Sequence, residues 1–402
     1  MTTTGHEVDN YPFGAATKLE LHPRYAQARR GAGLLRVRMP FGGEAWLATR
    51  HEDIKFVLAD PRFSRAATVG KDVPRTFPVS SAGSTLLDMD PPEHSRLRRI
   101  ATKAFTTRRV EQLRPGIQAN VDELLDRMVE SGQPADLAAS LAWPLPITVI
   151  CNLLGVPYAD RGSFRAWTDT ALGLAADQYD EILSARQQLS EYIAGLIAQR
   201  RVQPTNDLLG ALVVARDNED RLSEEEMVQL GMTLLIAGHE TTASQIGNFV
   251  YTLLSQPGYW AQLVADPQIV PAAVEELLRW VPLGASGGNG GVRIATEDVE
   301  LGGQTVRTGE AVAVVVASGN RDDKIFDHPD EIDFFREHNT HVAFGHGAHH
   351  CLGAPLARME LQLVIATLVR RIPTLRLAVA AEEVPWRAQR VTRGVLALPV
   401  SW

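Results

Sequence analysis

Between Glu93 and Gln256, apolar residues recur every three or four positions with charges between them, as in Val121-Asp-Glu-Leu-Leu-Asp-Arg-Met-Val and Ile182-Leu-Ser-Ala-Arg-Gln-Gln-Leu-Ser-Glu-Tyr-Ile. That period lays one apolar stripe along a helix, so the spacing predicts a succession of amphipathic helices. The longest pattern begins at Ser223, a capping hydroxyl followed by Glu224, Glu225 and Glu226, and continues through Leu254. At about 1.5 Å per residue such a helix reaches across a whole molecule. Strand signals are fewer: Leu35–Met39, Ala45–Thr49, Val292–Thr296, Val299–Val306 and the β-branched run Ala311–Ala317. The predicted class is therefore mainly α with minor β.

No Pro/Gly/Ser-rich linker, repeat or low-complexity tract interrupts the 402 residues, and 1–402 reads as a single domain. A formal net charge of −8 works against attraction to nucleic acid or anionic lipid. No stretch approaches about 20 uninterrupted apolar residues, and Met1-Thr-Thr-Thr-Gly-His-Glu-Val lacks the features of a signal peptide; no membrane association and a cytoplasmic location are expected. The two cysteines exclude a disulfide framework. Cys151 lies in an apolar run and reads as a small buried hydrophobe.

Cys351 stands in Phe344-Gly-His-Gly-Ala-His-His-Cys-Leu-Gly-Ala-Pro-Leu-Ala-Arg, directly before a helical pattern running from about Gly353 to Arg371. Gly345, Gly347 and Gly353 permit tight bends and close approach to a flat ligand. Helix N-terminal amides aimed at the sulfur would lower its pKa and favour the thiolate, the form that ligates metal. A glycine-rich turn around a buried cysteine is the plain alternative. His341, His346, His349 and His350 are further candidate ligands, but no paired spacing of the zinc type appears.

Three other segments carry chemistry. Ala237-Gly-His-Glu-Thr-Thr puts polar residues in the apolar middle of the long helix, with Gly238 weakening it and Thr241 able to bond the carbonyl four residues back. His239-Glu240 is not a zincin motif, because Ala243 occupies the position of the second histidine. Glu276 and Arg279 share a helical face. His94 and Arg98 fall one turn apart and could clamp carboxylates, or could form a solvated basic face.

Phe344, Gly347, Cys351 and Gly353, with their spacing, resemble the haem-binding signature of the cytochrome P450 family, and further motifs follow that family's order from about Tyr11 to Trp402. The resemblance implies a helix-rich triangular prism with small sheets, its long central helix passing over haem b. It implies Cys351 as axial thiolate, which favours cleavage of the bond in bound dioxygen. It places His94, Arg98, Arg293 and His349 at the haem propionates, and Phe344, Gly345, Gly347, Gly353 and Ala237 around the cofactor. Glu240 and Thr241 become a proton relay, and Glu276 with Arg279 a structural pair.

Ala357-Arg-Met-Glu and the closing Leu398-Pro-Val-Ser-Trp are most similar to soluble actinobacterial enzymes that tailor macrolides and other polyketides. The implied reaction is hydroxylation or epoxidation of a sizeable hydrophobic molecule by a monomer, with O2 and electrons from a ferredoxin and its reductase. Smaller terpenoid, fatty-acid or xenobiotic substrates are the alternative, as is non-catalytic haem binding, which would require neither Glu240 nor Thr241. Leu86, Leu87, Leu174, Leu235, Leu283 and Ala285 are expected to meet substrate, and the small side chains after Leu283 suggest a roomy pocket. Arg96, Arg98, Arg99, Lys103, Arg108 and Arg109 form a basic stretch suited to steering an acidic ferredoxin.

Overall fold

The computed structural model describes residues 8–402, apart from 15–17, 32, 77–82, 84, 104, 172–178, 206, 218–221, 285–290 and 389. Helices come in the order α1 (Pro23–Arg30), α2 (His51–Ala59), α3 (Glu93–Thr102), α4 (Thr107–Glu130), α5 (Pro144–Leu154), α6 (Arg161–Ala171) and α7 (Tyr179–Val202). They continue with α8 (Leu208–Asp217), α9 (Glu224–Ser255), α10 (Pro257–Ala265), α11 (Val270–Trp280), α12 (Val316–Gly319) and α13 (Ala354–Arg371). Among the described residues no helix is long and apolar enough to cross a membrane.

The predicted long helix is α9. Ser223 accepts from the Glu226 amide at 3.0 Å while the Glu226 side chain accepts from the Ser223 amide at 2.8 Å, so a reciprocal cap fixes its start. Arg96 of α3 holds the same Glu226 carboxylate. From Met227 onward most of α9 is buried, packed against α5, α7, α10 and α13. A helix wrapped by others cannot keep a single apolar stripe, which is why its sequence is apolar nearly all round.

The largest sheet orders its strands Asp9–Asn10, Leu34–Arg38, Glu44–Ala48, Ala311–Val314, Val292–Ala295 and Phe63–Ser64. Leu34–Arg38 pairs antiparallel with Glu44–Ala48, which runs parallel to Ala311–Val314. The pairing of Arg293 with Val312 fixes the former's inward register. Two expectations change here. Val299–Val306 is a hairpin, not one strand, because Gly302 and Gly303 both take positive φ, the two-residue turn that matches strand twist. The β-branched run stops pairing at Val314 and folds into α12.

Candidate active site

The loop from Val342 to Gly353 delivers Cys351 to the start of α13. Two backbone bonds shape it: the Gly345 amide donates to the Val342 carbonyl at 2.9 Å and the Cys351 amide to the Phe344 carbonyl at 2.8 Å. Gly347 cannot be replaced easily, since its φ is +70° and a Cβ would lie 2.5 Å from the Leu58 carbonyl oxygen in α2. Gly345 also has positive φ, whereas a Cβ on Gly353 would enter open space. Arg358 lies 4.5 Å over the Phe344 ring and is bidentate to Glu275 of α11 at 2.7 and 2.9 Å. Burial works to raise the Glu275 pKa, but bonds from His341 and Arg358 outweigh it and hold it at about 2.

Cys151 is buried and Cys351 is the exposed cysteine. Although the residue is exposed, burial of its thiol pushes the pKa up, and amides of Gly353 and Ala354 with the charges of Arg98 and Arg358 pull it down. The helix-end stabilisation expected from sequence is present, but the net direction is upward. A cation coordinated to the sulfur would supply what those dipoles do not.

Beside this loop stands a cluster of histidines and arginines. His94 is 1% exposed, neither ring nitrogen has a hydrogen-bond partner, and its ring centre is 4.2 Å from that of His349. Arg98, one turn along α3, donates to the His350 carbonyl. Burial and the nearby Arg65 push the buried Arg293 down to about 10. Burial, then His94, Arg293 and Arg65, push His349 down to about 3, with Asp90 opposing. Arg65 escaped the sequence reading; it donates to the carbonyls of Leu87 and Val292, both at 2.9 Å, tying the two segments together.

In α9, Ala237 is exposed and Thr241 half-buried, against a helix that is otherwise mostly buried. Thr241 Oγ1 donates to the Ala237 carbonyl at 2.7 Å. Glu240 is buried and accepts from Thr392 Oγ1 at 3.0 Å, with Arg387 Nη1 at 3.7 Å.

The family model described as cytochrome P450 matches residues 167–375. Over 403 residues, covering 100% of both chains, the sequence is 52% identical to a nocardicin C N-oxygenase of Nocardia uniformis subsp. tsuyamanensis. The chain belongs to the cytochrome P450 family. It is also 48% identical to the mycinamicin IV hydroxylase/epoxidase of Micromonospora griseorubida, over 99% of this chain and 100% of that protein. The solved LnmA cytochrome P450 hydroxylase of the leinamycin biosynthetic pathway of Streptomyces atroolivaceus S-140 superposes with a TM-score of 0.93 at 49% identity, covering 98% of this chain and 100% of that one. As a cytochrome P450, the chain is a haem monooxygenase that takes a small-molecule substrate, O2 and electrons from a redox partner.

The side chains present fit a haem. The exposed Cys351 lies close to buried His94 and Arg293 and half-buried Arg98 and His349, donors suited to anionic partners, as the propionates are, and Ala237 exposes an apolar surface. The P450 places Leu87 at an exposed position, Leu86 in the core's edge and Leu283 half-buried; Leu174 and Ala285 lie outside the described residues. Leu235 differs from these. It is 0% exposed in the main core because two residues of helix carry it about 200° round from Ala237, away from any open face. Arg96 pairs with Glu226 while its side chain stays 42% exposed.

Glu360 of α13 was not singled out by sequence. It is 2% exposed, its Oε2 has no hydrogen-bond partner, and burial pushes its pKa up to about 8. A carboxyl whose folded pKa is raised gives its full stability below the unfolded value near 4.5 and loses it as pH rises through about 8. Urea unfolding of wild type and Glu360→Gln should therefore agree near pH 5, and the variant should become the more stable of the two by pH 8. A constant difference across that range would refute a protonated Glu360.

Proposed function

We propose that this P450 hydroxylates or epoxidises a sizeable hydrophobic natural product of the macrolide or wider polyketide class, with Cys351 as the axial thiolate. The observation that carries the chemistry is the exposed Cys351 beside the cluster of His94, Arg98, Arg293 and His349. Support for the substrate class comes from the end-to-end 48% identity with a mycinamicin IV hydroxylase/epoxidase. When bound, the haem supplies electron storage and dioxygen activation.

The protein's own residues do the rest. His94, Arg98, Arg293 and His349, joined by Arg65, hold the propionates by charge-assisted hydrogen bonds. Phe344, Gly345, Gly347 and Gly353 shape the loop that aims the sulfur, and Ala237 keeps the opposite helix face small. Thr241 and Glu240 hold and move protons on the α9 side. Leu86, Leu87 and Leu283, with Leu174 and Ala285, contribute apolar wall. Electrons come from a ferredoxin and its reductase, and the chain works as a single-domain cytoplasmic monomer.

A second reading is N-oxygenation of an amine, favoured by the 52% identity with a nocardicin C N-oxygenase across both full lengths. Optical titration of the haem-loaded protein with mycinamicin IV, a sesquiterpene, a fatty acid and nocardicin C separates these readings. The macrolide should bind at least about tenfold more tightly than the sesquiterpene and fatty acid, because it covers more apolar surface. Its turnover should give products one oxygen heavier. Response to nocardicin C alone, with oxygen on nitrogen, would replace the first reading by the second.

A further inference from the structure

The C-terminal segment turns back on itself in a hairpin, closed by the facing pair Trp386 and Val395 and by the Arg387 amide donating to the Gly394 carbonyl at 2.9 Å. It sits on the middle of α9 with no clearance. A Cβ on Gly394 would lie 2.9 Å from Ser244 Oγ, and one on Gly247 would lie 2.7 Å from Val395 Cγ2. Asn248 donates to the Arg393 carbonyl at 3.0 Å, and Arg393 is itself anchored on the carbonyls of Gly284 and Glu20 at 3.1 and 2.7 Å. The hairpin is thus fixed to α9 and to the segments on either side.

From that base two side chains reach Glu240. Thr392 Oγ1 donates to Glu240 Oε1 at 3.0 Å, which leaves Ser244 Oγ as the donor in its 3.1 Å bond with Thr392. Arg387 brings its Nη1 to 3.7 Å from the same Glu240 oxygen and stacks its guanidinium 4.2 Å over Trp143, whose ring meets His239 edge-on at 6.0 Å. Glu240, Ser244 and Thr392 are all buried, so water competes little for these contacts. Thr241, the next residue along, spends its hydroxyl on the Ala237 carbonyl, so the two members of the relay are held by different parts of the chain.

We propose that Arg387 and Thr392 are positioning residues for Glu240: the C-terminal hairpin, rather than α9 itself, sets where the relay's carboxylate lies. The inference rests on the reading of Glu240 and Thr241 as a proton relay. A shape-conserving loss of the donor, Thr392→Val, and a charge loss, Arg387→Met, should each release Glu240, while Thr392→Ser and Arg387→Lys should retain it. A hydrogen bond to a charged group governs orientation strongly enough that losing the Thr392 donor should shift the preferred position about tenfold, and losing the Arg387 charge, at 3.7 Å, by less.

Crystal structures of the haem-loaded variants report the Glu240 carboxylate directly. With a plant-type ferredoxin and its reductase and no substrate, the fraction of consumed oxygen released as hydrogen peroxide, and the ratio of rates in H2O and D2O, report proton delivery. Expected are a displaced carboxylate with changed peroxide fraction and isotope ratio in Thr392→Val and Arg387→Met, and wild-type values in Thr392→Ser. A Glu240 that stays in place in both, with only a lower melting temperature, would overturn the inference. Should Glu240→Gln itself keep the wild-type isotope ratio, the relay reading fails, and the crystal structures still decide who positions the carboxylate.

Discussion

Replacing Cys351 with alanine should abolish the strongly red-shifted Soret band of the dithionite-reduced, carbon monoxide-treated protein and reduce oxygenation to background. Changes to the outer partners of a metal ligand cost about 10- to 100-fold, and removal of the ligand itself costs more. Cys151 offers no substitute, because it is fully enclosed in the main core and burial pushes its thiol up to about 12. Histidines do stand close by, and His346, His349 and His350 make the experiment discriminating. A band of the imidazole type already present in the wild type would show that one of them holds the iron and that Cys351 does not. Cys151→Ala, the matched control, should leave the spectrum unchanged.

Where the sequence was legible, one local cause was in command. The span of α9 could be read to within one residue because Ser223 and Glu226 form their cap without help from the rest of the chain. The cysteine loop was legible for a similar reason: glycines, cysteine and helix start lie within ten residues of one another. Its details were not. The demand at Gly347 comes from the backbone of α2, almost 300 residues earlier in sequence, and no local pattern encodes it. The thiol's net shift also reversed, since burial is a property of the whole fold and exceeded the helix-end contribution that sequence could supply.

Missed residues share that character. Arg65, Arg387, Thr392 and Glu360 look like ordinary polar positions until distant segments close round them. Glu360 in particular sits in Met359-Glu-Leu-Gln, which reads as the polar face of an amphipathic helix, yet α13 is covered there and the carboxyl has no solvent to face. Burial of Leu235 was equally hidden, because the sequence does not say which neighbours cover that side of α9.

The largest loss of stability should follow Arg279→Leu. The resemblance marked this pair as structural, whereas its three-residue spacing alone is worth well under about 1 kcal/mol if exposed. In the fold the pair is enclosed: the Glu276 and Arg279 side chains are 1% and 0% exposed. Arg279 donates from Nε and Nη2 to Glu276 at 2.8 and 2.7 Å, from Nη1 to the carbonyls of Asn320 and Pro329 at 2.9 and 2.7 Å, and from Nη2 to that of Glu331 at 2.8 Å. Glu276 also takes the Asp333 amide at 2.9 Å, Asn339 at 3.1 Å and Arg336 at 3.2 Å. These bonds pin the chain from Asn320 to Asn339 onto α11, and that chain leads into the cysteine loop. Removing Arg279 strands three carbonyls and leaves a buried carboxylate with part of its compensation, a cost of about 3–5 kcal/mol against a total stability of about 5–15. The variant should be recovered largely insoluble or without haem. Arg279→Lys should fare little better, since an ammonium cannot reproduce a five-donor fork. The double variant Glu276→Leu with Arg279→Leu should lose less than the sum of its parts, because no charge is then left unpaired at the pair itself. Melting temperatures and haem content of the soluble fractions measure all three, and a normally folded Arg279→Lys would mean that charge, not the fork, holds this junction together.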